Sequence, residues 1–241
     1  MIGKGKSISH GTAALEYDLA KEIDGQTAAI EIARHELYGC TGAEMVQEMK
    51  PYHADFPNVK NNCLRFEVSP SIEESATFTD ADWAELGNDF MQRMGLANHQ
   101  YIIIRHSGTE SKKEQAHLHI LANRVSLSGE LYRDNWIGKK ATEAANAIAK
   151  ERNFVQSQDI GKVNKAEIKE AMDGVLKKMQ GFDFTKFKEE LGKRGFKVRE
   201  ARASTGKLNG YYVTARSGTE YKASEIGKGY TLAHIERTQS K

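Results

Sequence analysis

The chain has 241 residues, 39% of them apolar and 28% charged, with a net charge of +2. This length fits one large domain, or one domain with a small appendage, and the apolar fraction suffices for a packed core. Three prolines and 8% aromatic residues argue against a low-complexity chain and a dense all-β protein. We expect no membrane span and no signal peptide, because no long apolar run is present. The two cysteines, Cys40 and Cys63, lie at no motif spacing, so we expect reduced thiols in a cytoplasmic protein.

Charge is distributed unevenly along the chain. Residues 161–241 hold 18 Lys and Arg against 10 Asp and Glu, a balance of +8, which leaves −6 for residues 1–160. A basic segment is the electrostatic feature expected where a phosphate backbone is bound, although lysine-rich helices with a solvated face give the same composition. We predict a larger domain over 1–160 and a small basic module over 161–241 that binds DNA or docks on the first domain.

The first predicted elements are a strand and a helix. Residues 1–8 predict a strand that is weak by propensity, because Gly and Lys alternate in it. Residues 11–23 have helical spacing, which places Tyr17 in the middle of a helix on the same face as Ala14. On this pattern alone, Tyr17 is a packing aromatic residue.

The next stretch contains two helix starts and one strand. Residues 24–40 fit a helix or a strand equally well. The capping box Thr41-Gly-Ala-Glu44 predicts a helix from about residue 42 to Met49. Residues 63–68 alternate as a strand, and Thr79 begins a helix whose apolar stripe belongs to the core.

Three histidines belong to two short apolar runs. Residues 101–105 and 116–125 are typical of buried strands, and the polar segment 107–115 between them predicts a β-hairpin. Because side chains alternate along a strand, His117 and His119 lie on one face, and antiparallel pairing can bring His106 beside them. Three imidazoles with open positions left over are typical of a catalytic metal site, whereas a lone His-x-His pair is more often only hydrogen-bonded.

Glu67 lies on the polar side of the 63–68 strand. If that strand neighbours the histidine hairpin, Glu67 can orient a ligand imidazole, as outer carboxylates do in metal sites. The alternative interpretation is an ordinary exposed strand residue.

The remainder of the chain predicts a strand over 131–136 and a helix over 139–152, so the first domain is an α+β fold with an antiparallel sheet and helices on its faces. Helices over 164–179 and 183–194, followed by short strands, predict a small C-terminal α/β appendage. Four tyrosines there are interleaved with Lys and Arg, and could stack bases or belong to the core. They are Tyr211, Tyr212, Tyr221 and Tyr230.

Three features of the sequence together resemble the HUH-type relaxases. They are the motif His117-Leu-His-Ile-Leu-Ala-Asn-Arg124, the third histidine upstream, and the opening Met1–Ser7 followed by Gly11–Tyr17. These are the mobilisation nucleases of plasmids and conjugative elements. The resemblance covers roughly residues 1–160. It implies a five-stranded antiparallel sheet sandwiched by helices and a nucleophilic tyrosine on the first helix, here Tyr17.

The resemblance further implies a site-specific and strand-specific nickase for conjugative mobilisation in the bacterial cytoplasm. A metal ion held by His106, His117 and His119 would assist attack by Tyr17 on single-stranded DNA at a transfer origin, leaving a 5′-phosphotyrosine. Mg or Mn is favoured as the metal, with Zn, Co and Ni as alternatives, and accessory mobilisation proteins are expected partners.

Candidate proton acceptors are Asn123, Glu67 and His10, and Tyr38 or Tyr52 would replace Tyr17 as nucleophile if Tyr17 fails. The predicted DNA contacts are Lys4, Lys6, Arg105, Arg124, Tyr221 and Lys222.

Two other functions fit parts of the pattern. A rolling-circle replication initiator of the same superfamily would place its tyrosine on a helix after the histidine motif, where Tyr132 is the nearby candidate. A non-catalytic single-stranded DNA-binding module would bind through the basic C-terminal third and use the histidines structurally.

Overall fold

A computed structural model describes residues 1–108, 115–216 and 218–239, in two compact units, Met1–Ser157 and Gln158–Lys241. The strands of the first unit are β1 (Ile2–Ile8), β2 (Glu22–Ile23), β3 (Gln26–Thr27), β4 (Ala29–His35), β5 (Cys63–Ser69), β6 (His99–His106) and β7 (His117–Ser126). Its helices are α1 (Gly11–Leu19), α2 (Gly42–Met49), α3 (Asp80–Arg93) and α4 (Ile137–Glu151), with a 3-10 turn over Lys50–His53. None of the helices in the described ranges combines the length and the apolar composition needed to cross a membrane.

The first unit is built on a five-stranded antiparallel sheet in the order β1-β5-β7-β6-β4. Strands β6 and β7 are neighbours, as the hairpin prediction requires, and the centre of the predicted connection, residues 109–114, lies outside the described residues. The fold is therefore the α+β arrangement that the sequence predicted, with the five-stranded sheet that the resemblance implied.

Helices cover both faces of this sheet. On one face, α3 and α4 pack against the even-numbered apolar residues of β5 and β7, such as Phe66 and Ile120. On the other face, α1 and α2 pack against Cys63, Ile104 and Leu121. Only part of this second face is covered by apolar side chains. The histidines lie on it, and His119 is directly opposite Glu67.

Strand β1 contains glycines because α4 lies directly against it. A Cβ atom built on Gly3 would lie 2.6 Å from Cβ of Ala145, which is closer than real side chains approach. The alternation of Gly and Lys therefore serves packing on one face and exposes Lys4 and Lys6 on the other.

Two predicted elements were wrong. The first helix ends at Leu19, because Asp24 and Gly25 both have positive φ, 52° and 75°, and form the tight turn of a small β2–β3 hairpin. The predicted strand over 131–136 is an irregular segment in which Leu131 alone bridges Val125. Trp136, the apolar residue at its end, is 81% exposed, so burial of this side chain does not stabilise a strand there.

The second unit combines helices with a three-stranded antiparallel sheet in the order β10-β9-β8. A core including Met172, Phe187 and Val213 lies between the helices and one face of this sheet. The elements are α5 (Ser157–Leu176), α6 (Phe184–Lys193), β8 (Lys197–Arg202), β9 (Leu208–Thr214), β10 (Glu220–Lys222), α7 (Ala223–Ile226), a 3-10 turn (Lys228–Tyr230) and α8 (Leu232–Gln239).

Candidate functional site

The three histidines of the predicted metal site lie together. His106 at the end of β6 is directly opposite His117 on β7, and His119 follows two residues later on the same face. One ring nitrogen from each imidazole lies within 4.8 Å of the other two. The Nε2 atoms of His117 and His119 are 3.1 Å apart. Strand alternation and pairing therefore produce a three-imidazole cluster.

Backbone carbonyls orient two of the imidazoles. His106 Nε2 donates to the carbonyl of Asp18 at 2.6 Å, and His117 Nδ1 donates to the carbonyl of Gln115 at 2.9 Å. Because a carbonyl only accepts, these nitrogens carry the ring protons, and the other nitrogen of each ring presents a lone pair. Imidazoles that ligate metals are oriented in this way, so the donor set fits a divalent metal ion.

The environment favours the uncharged form of two of the three imidazoles, those of His106 and His119. Burial lowers the pKa of His119 to about 2, and the neighbouring His106, His117 and Arg65 add to the shift. Burial likewise lowers the pKa of His106. Neutral imidazole is the form that binds metals, so little free energy is spent on deprotonating His106 and His119 near neutral pH.

Tyr17 lies on α1 with 69% of its surface exposed. The helix buries Ala14, Leu15 and Asp18 instead, so Tyr17 is not a packing residue. The Asp18 carbonyl that accepts from His106 belongs to the residue directly after Tyr17. The helix with the predicted nucleophile is therefore fixed against the histidine cluster by a backbone contact.

Asp18 and Arg65 complete the surroundings of His119, and the sequence interpretation missed both. Asp18 is 1% exposed, and its carboxylate accepts from Nε of Arg65 at 3.0 Å and from Nη2. The same Nη2 lies 3.3 Å from Nδ1 of His119. The sequence could have indicated Arg65, because it lies two residues before Glu67 and therefore on the same strand face.

A shallow cavity of about 220 Å³ adjoins His119. Lys4 and Lys6 of β1 line it together with Arg65, Glu67 and His119. Glu67 lies opposite His119 in register, and its carboxylate accepts from Lys4 at 2.8 Å. The two predicted lysine contacts are thus placed beside the cluster, and the cavity presents mainly positive charge.

The structure does not bring Asn123, Arg105 or Arg124 to the cluster. Asn123 is fully buried, four residues or about 13 Å along β7 from His119, and its amide bonds His53, Gln100 and the backbone of Met49 and Val125. Arg105 and Arg124 project from the opposite sheet face, where they pair with Asp80 and Asp134.

Other predicted residues lie elsewhere. The exposed hydroxyl of Tyr38 donates to Glu36, and this hydrogen bond raises the Tyr38 pKa. Tyr132 is half-buried in the irregular segment before α4 rather than on a helix. Tyr221 and Lys222 belong to β10 of the second unit, where the Tyr221 hydroxyl accepts from Asn164.

Comparisons with known proteins agree with the sequence motifs. The family model for the MobA/VirD2-like relaxase nuclease domain matches residues 17–154. Similar solved structures include the conjugative relaxase TrwC in complex with oriT DNA, in metal-bound form (12% identity, TM-score 0.35) and metal-free form (10% identity, TM-score 0.38), each covering 86% of this chain and 74% of that chain. No curated protein matched the sequence. Since the family model spans more than half of the chain, the protein belongs to the MobA/VirD2-like relaxase nuclease family, as the histidine motif and the N-terminal segment suggested.

Proposed function

We propose that the protein is a DNA relaxase that nicks one strand at a transfer origin and keeps the 5′ end on Tyr17. The observation that carries this proposal is the hydrogen bond between His106 and the carbonyl of Asp18, which holds the helix of exposed Tyr17 against the three-imidazole cluster. An exposed phenol on a helix that contacts a cluster able to hold a metal ion fits attack on a phosphodiester.

The proposed reaction is a transesterification at phosphorus. The Tyr17 oxygen forms a bond to phosphorus while the bond from phosphorus to the 3′ oxygen breaks. The phenol loses its proton, and the 3′ oxygen gains one and becomes a free hydroxyl. Because the phosphodiester is exchanged and not hydrolysed, the 3′ hydroxyl of a strand can later attack the phosphotyrosine and restore the DNA.

His106, His117 and His119 would hold a divalent metal ion that offsets negative charge on the phosphate oxygens. We propose Mg or Mn, since phosphoryl chemistry commonly uses them, although three imidazoles also suit Zn, Co and Ni. Asp18 and Arg65 are positioning residues in this proposal, because they contact His119 and not the reacting atoms.

Lys4 and Lys6 are proposed to bind phosphates next to the scissile one. They line the cavity beside His119, and ammonium groups are usual partners of a nucleic-acid backbone. Glu67 would hold Lys4 in place through their ion pair. Asn123 has no part in the proposed reaction, because its buried amide is already hydrogen-bonded. Accessory mobilisation proteins and the bacterial cytoplasm stay predictions.

The experiment is a covalent-adduct assay. The protein is incubated with end-labelled single-stranded oligonucleotides that tile a candidate transfer origin, with Mn²⁺ or with chelator, and resolved on a denaturing gel. We expect a metal-dependent protein–DNA band, and mass spectrometry of its peptides should place the DNA on Tyr17. Binding that survives chelation, with no cleavage of any oligonucleotide, would instead support the non-catalytic DNA-binding function.

A further inference from the structure

The three-stranded sheet of the second unit has two unlike faces. Val198 and Val213 point into the core from one face. The opposite face carries a single row of side chains across all three strands, because these residues are register partners. The row is Arg199 on β8, Tyr212 on β9 and Lys222 on β10. We define the outer sheet face by this row and its neighbouring row. The residues are Lys197, Arg199, Tyr212, Thr214, Glu220 and Lys222.

Contacts on the outer sheet face hold the side chains of this row in place. The guanidinium carbon of Arg199 lies 4.0 Å from the centre of the Tyr212 ring. Arg199 also donates to both carboxylate oxygens of Glu220, at 2.8 and 2.6 Å. Lys222 Nζ lies 6.0 Å from the ring centre. Tyr212 is thus the centre of a fixed array with a cation on each neighbouring strand.

The chemistry of this array suits single-stranded nucleic acid. Stacked aromatic and guanidinium planes present a flat surface on which an unpaired base can stack, and nearby lysines bind the phosphates of the same strand. Lys197 and Lys222 are exposed, and Arg199 keeps 57% of its side chain accessible despite the ion pair. This surface carries three cations and one carboxylate. It therefore favours a chain of phosphate groups over a peptide without phosphates, whether neutral or acidic.

We propose that the outer sheet face binds single-stranded DNA, with a base stacked on the Tyr212–Arg199 pair and phosphates held by Lys197 and Lys222. The proposal rests on the proposed function, because a relaxase of this kind acts on single-stranded DNA. It assigns the second unit a binding surface separate from the histidine cluster and independent of any metal.

The structure also distinguishes Tyr212 from the other tyrosines of this segment. Tyr211 is 2% exposed, and its hydroxyl donates to the carbonyl of Tyr230. The Tyr230 hydroxyl donates to Asp173, and the Tyr221 hydroxyl accepts from Asn164 of α5. The hydroxyls of these three residues are therefore engaged within the unit, whereas the Tyr212 ring lies on the outer sheet face between cations on both neighbouring strands.

The test is fluorescence anisotropy of the full chain with labelled oligothymidylate, in chelator so that no cleavage occurs. Tyr212→Thr keeps a good strand former but removes the ring, and we expect affinity to fall about tenfold or more. Lys222→Ala should lower the slope of log affinity against log salt by about 0.7, the value for one phosphate contact on a single strand. Tyr212→Phe retains the stacking surface and should bind nearly as the unchanged protein does.

The control is Lys193→Ala, which removes an exposed cation, paired with Glu190, from α6 of the same unit and should leave affinity unchanged. The proposal would be overturned if both Tyr212→Thr and Lys222→Ala bound oligothymidylate with unaltered affinity. It would also be overturned if these variants lost affinity only for duplex DNA. His119→Ala separates it from the proposed function, because this variant should lose adduct formation and keep oligothymidylate binding. Loss of oligothymidylate binding in His119→Ala, with the outer-face variants unaffected, would place the binding site at the cluster.

Discussion

Arg65 makes a two-point contact with Asp18, the residue that follows Tyr17. Nε and Nη2 of the guanidinium donate to the two carboxylate oxygens, and Asp18 Oδ1 lies 3.9 Å from Nδ1 of His119. The Asp18 side chain is 2% exposed and that of Arg65 21% exposed. This ion pair therefore joins the tyrosine helix to the strand beside the histidine cluster.

Asp18→Asn should weaken both stability and activity. Breaking a well-buried ion pair costs about 3–5 kcal/mol, and the partial exposure of Arg65 reduces this to about 1–3 kcal/mol. Urea denaturation measures this loss, and the rate of adduct formation should fall about tenfold or more because His119 and α1 lose a common anchor. Asp159→Asn is the control, since its carboxylate pairs with exposed Lys162. Equal effects of the two substitutions would contradict this role.

His119→Ala should abolish most metal affinity. Loss of a residue that merely orients a metal ligand costs about 10- to 100-fold in affinity, so loss of a ligand should cost more than about 100-fold. Isothermal titration of the protein with Mn²⁺ measures the change. His234→Ala, in the second unit, should bind Mn²⁺ as the unchanged protein does. Unaltered Mn²⁺ binding by His119→Ala would show that the metal binds elsewhere.

His99 should make the free energy of unfolding depend on pH. Burial lowers its pKa below 6.5 in the folded protein, where it is 5% exposed and Nδ1 donates to the Asn123 carbonyl. Below pH 6.5 the unfolded chain therefore takes up a proton that the folded chain does not, and stability falls by at most about 1.4 kcal/mol per pH unit. Above pH 6.5 this contribution is constant.

The measurement is urea denaturation in chelator at several pH values on either side of 6.5, for the unchanged protein and for His99→Asn, which retains a donor near the Nδ1 position. The stability difference between the two proteins should shrink as the pH falls. A difference that stays constant or grows with acidity would mean that His99 is protonated in the fold.

The two thiols should react at very different rates. Cys40 is exposed, whereas Cys63 is fully buried against Gly11, and burial raises the pKa of the Cys63 thiol to about 11. Because the thiolate is the reactive form, a thiol reagent should modify one cysteine in the folded protein and a second only after unfolding. Cys40→Ser should show no rapid reaction. Two rapid equivalents in the folded protein would contradict the packing of α1 on β5.

The histidine cluster was predictable because it depends on local rules. Alternation fixes His117 and His119 on one face, and the adjacent antiparallel strand supplies His106. The same alternation places Arg105 and Arg124 on the opposite face, so their distance from the cluster could have been predicted as well. Asn123 follows the alternation of the histidines, but no local pattern distinguishes a buried hydrogen-bonded amide from one that contacts substrate.

The Asp18–Arg65 pair could not be predicted in the same way. It joins residues 47 positions apart, and it forms only because α1 packs on the sheet through Ala14 and Leu15. Helical spacing was also misleading for Tyr17, because the helix is short and amphipathic only weakly, and the buried face includes Asp18. Such helix-to-strand contacts depend on tertiary packing that sequence periodicity does not specify.

The most direct test of the account is adduct formation by Tyr17→Phe, compared with Tyr38→Phe, on an origin oligonucleotide that the unchanged protein cleaves in Mn²⁺. Phenylalanine keeps the ring and removes the nucleophilic oxygen, so Tyr17→Phe should bind the oligonucleotide normally and form no covalent band. Tyr38→Phe should form the band at the usual rate. A full-strength band from Tyr17→Phe would contradict the central claim and assign the chemistry to another residue.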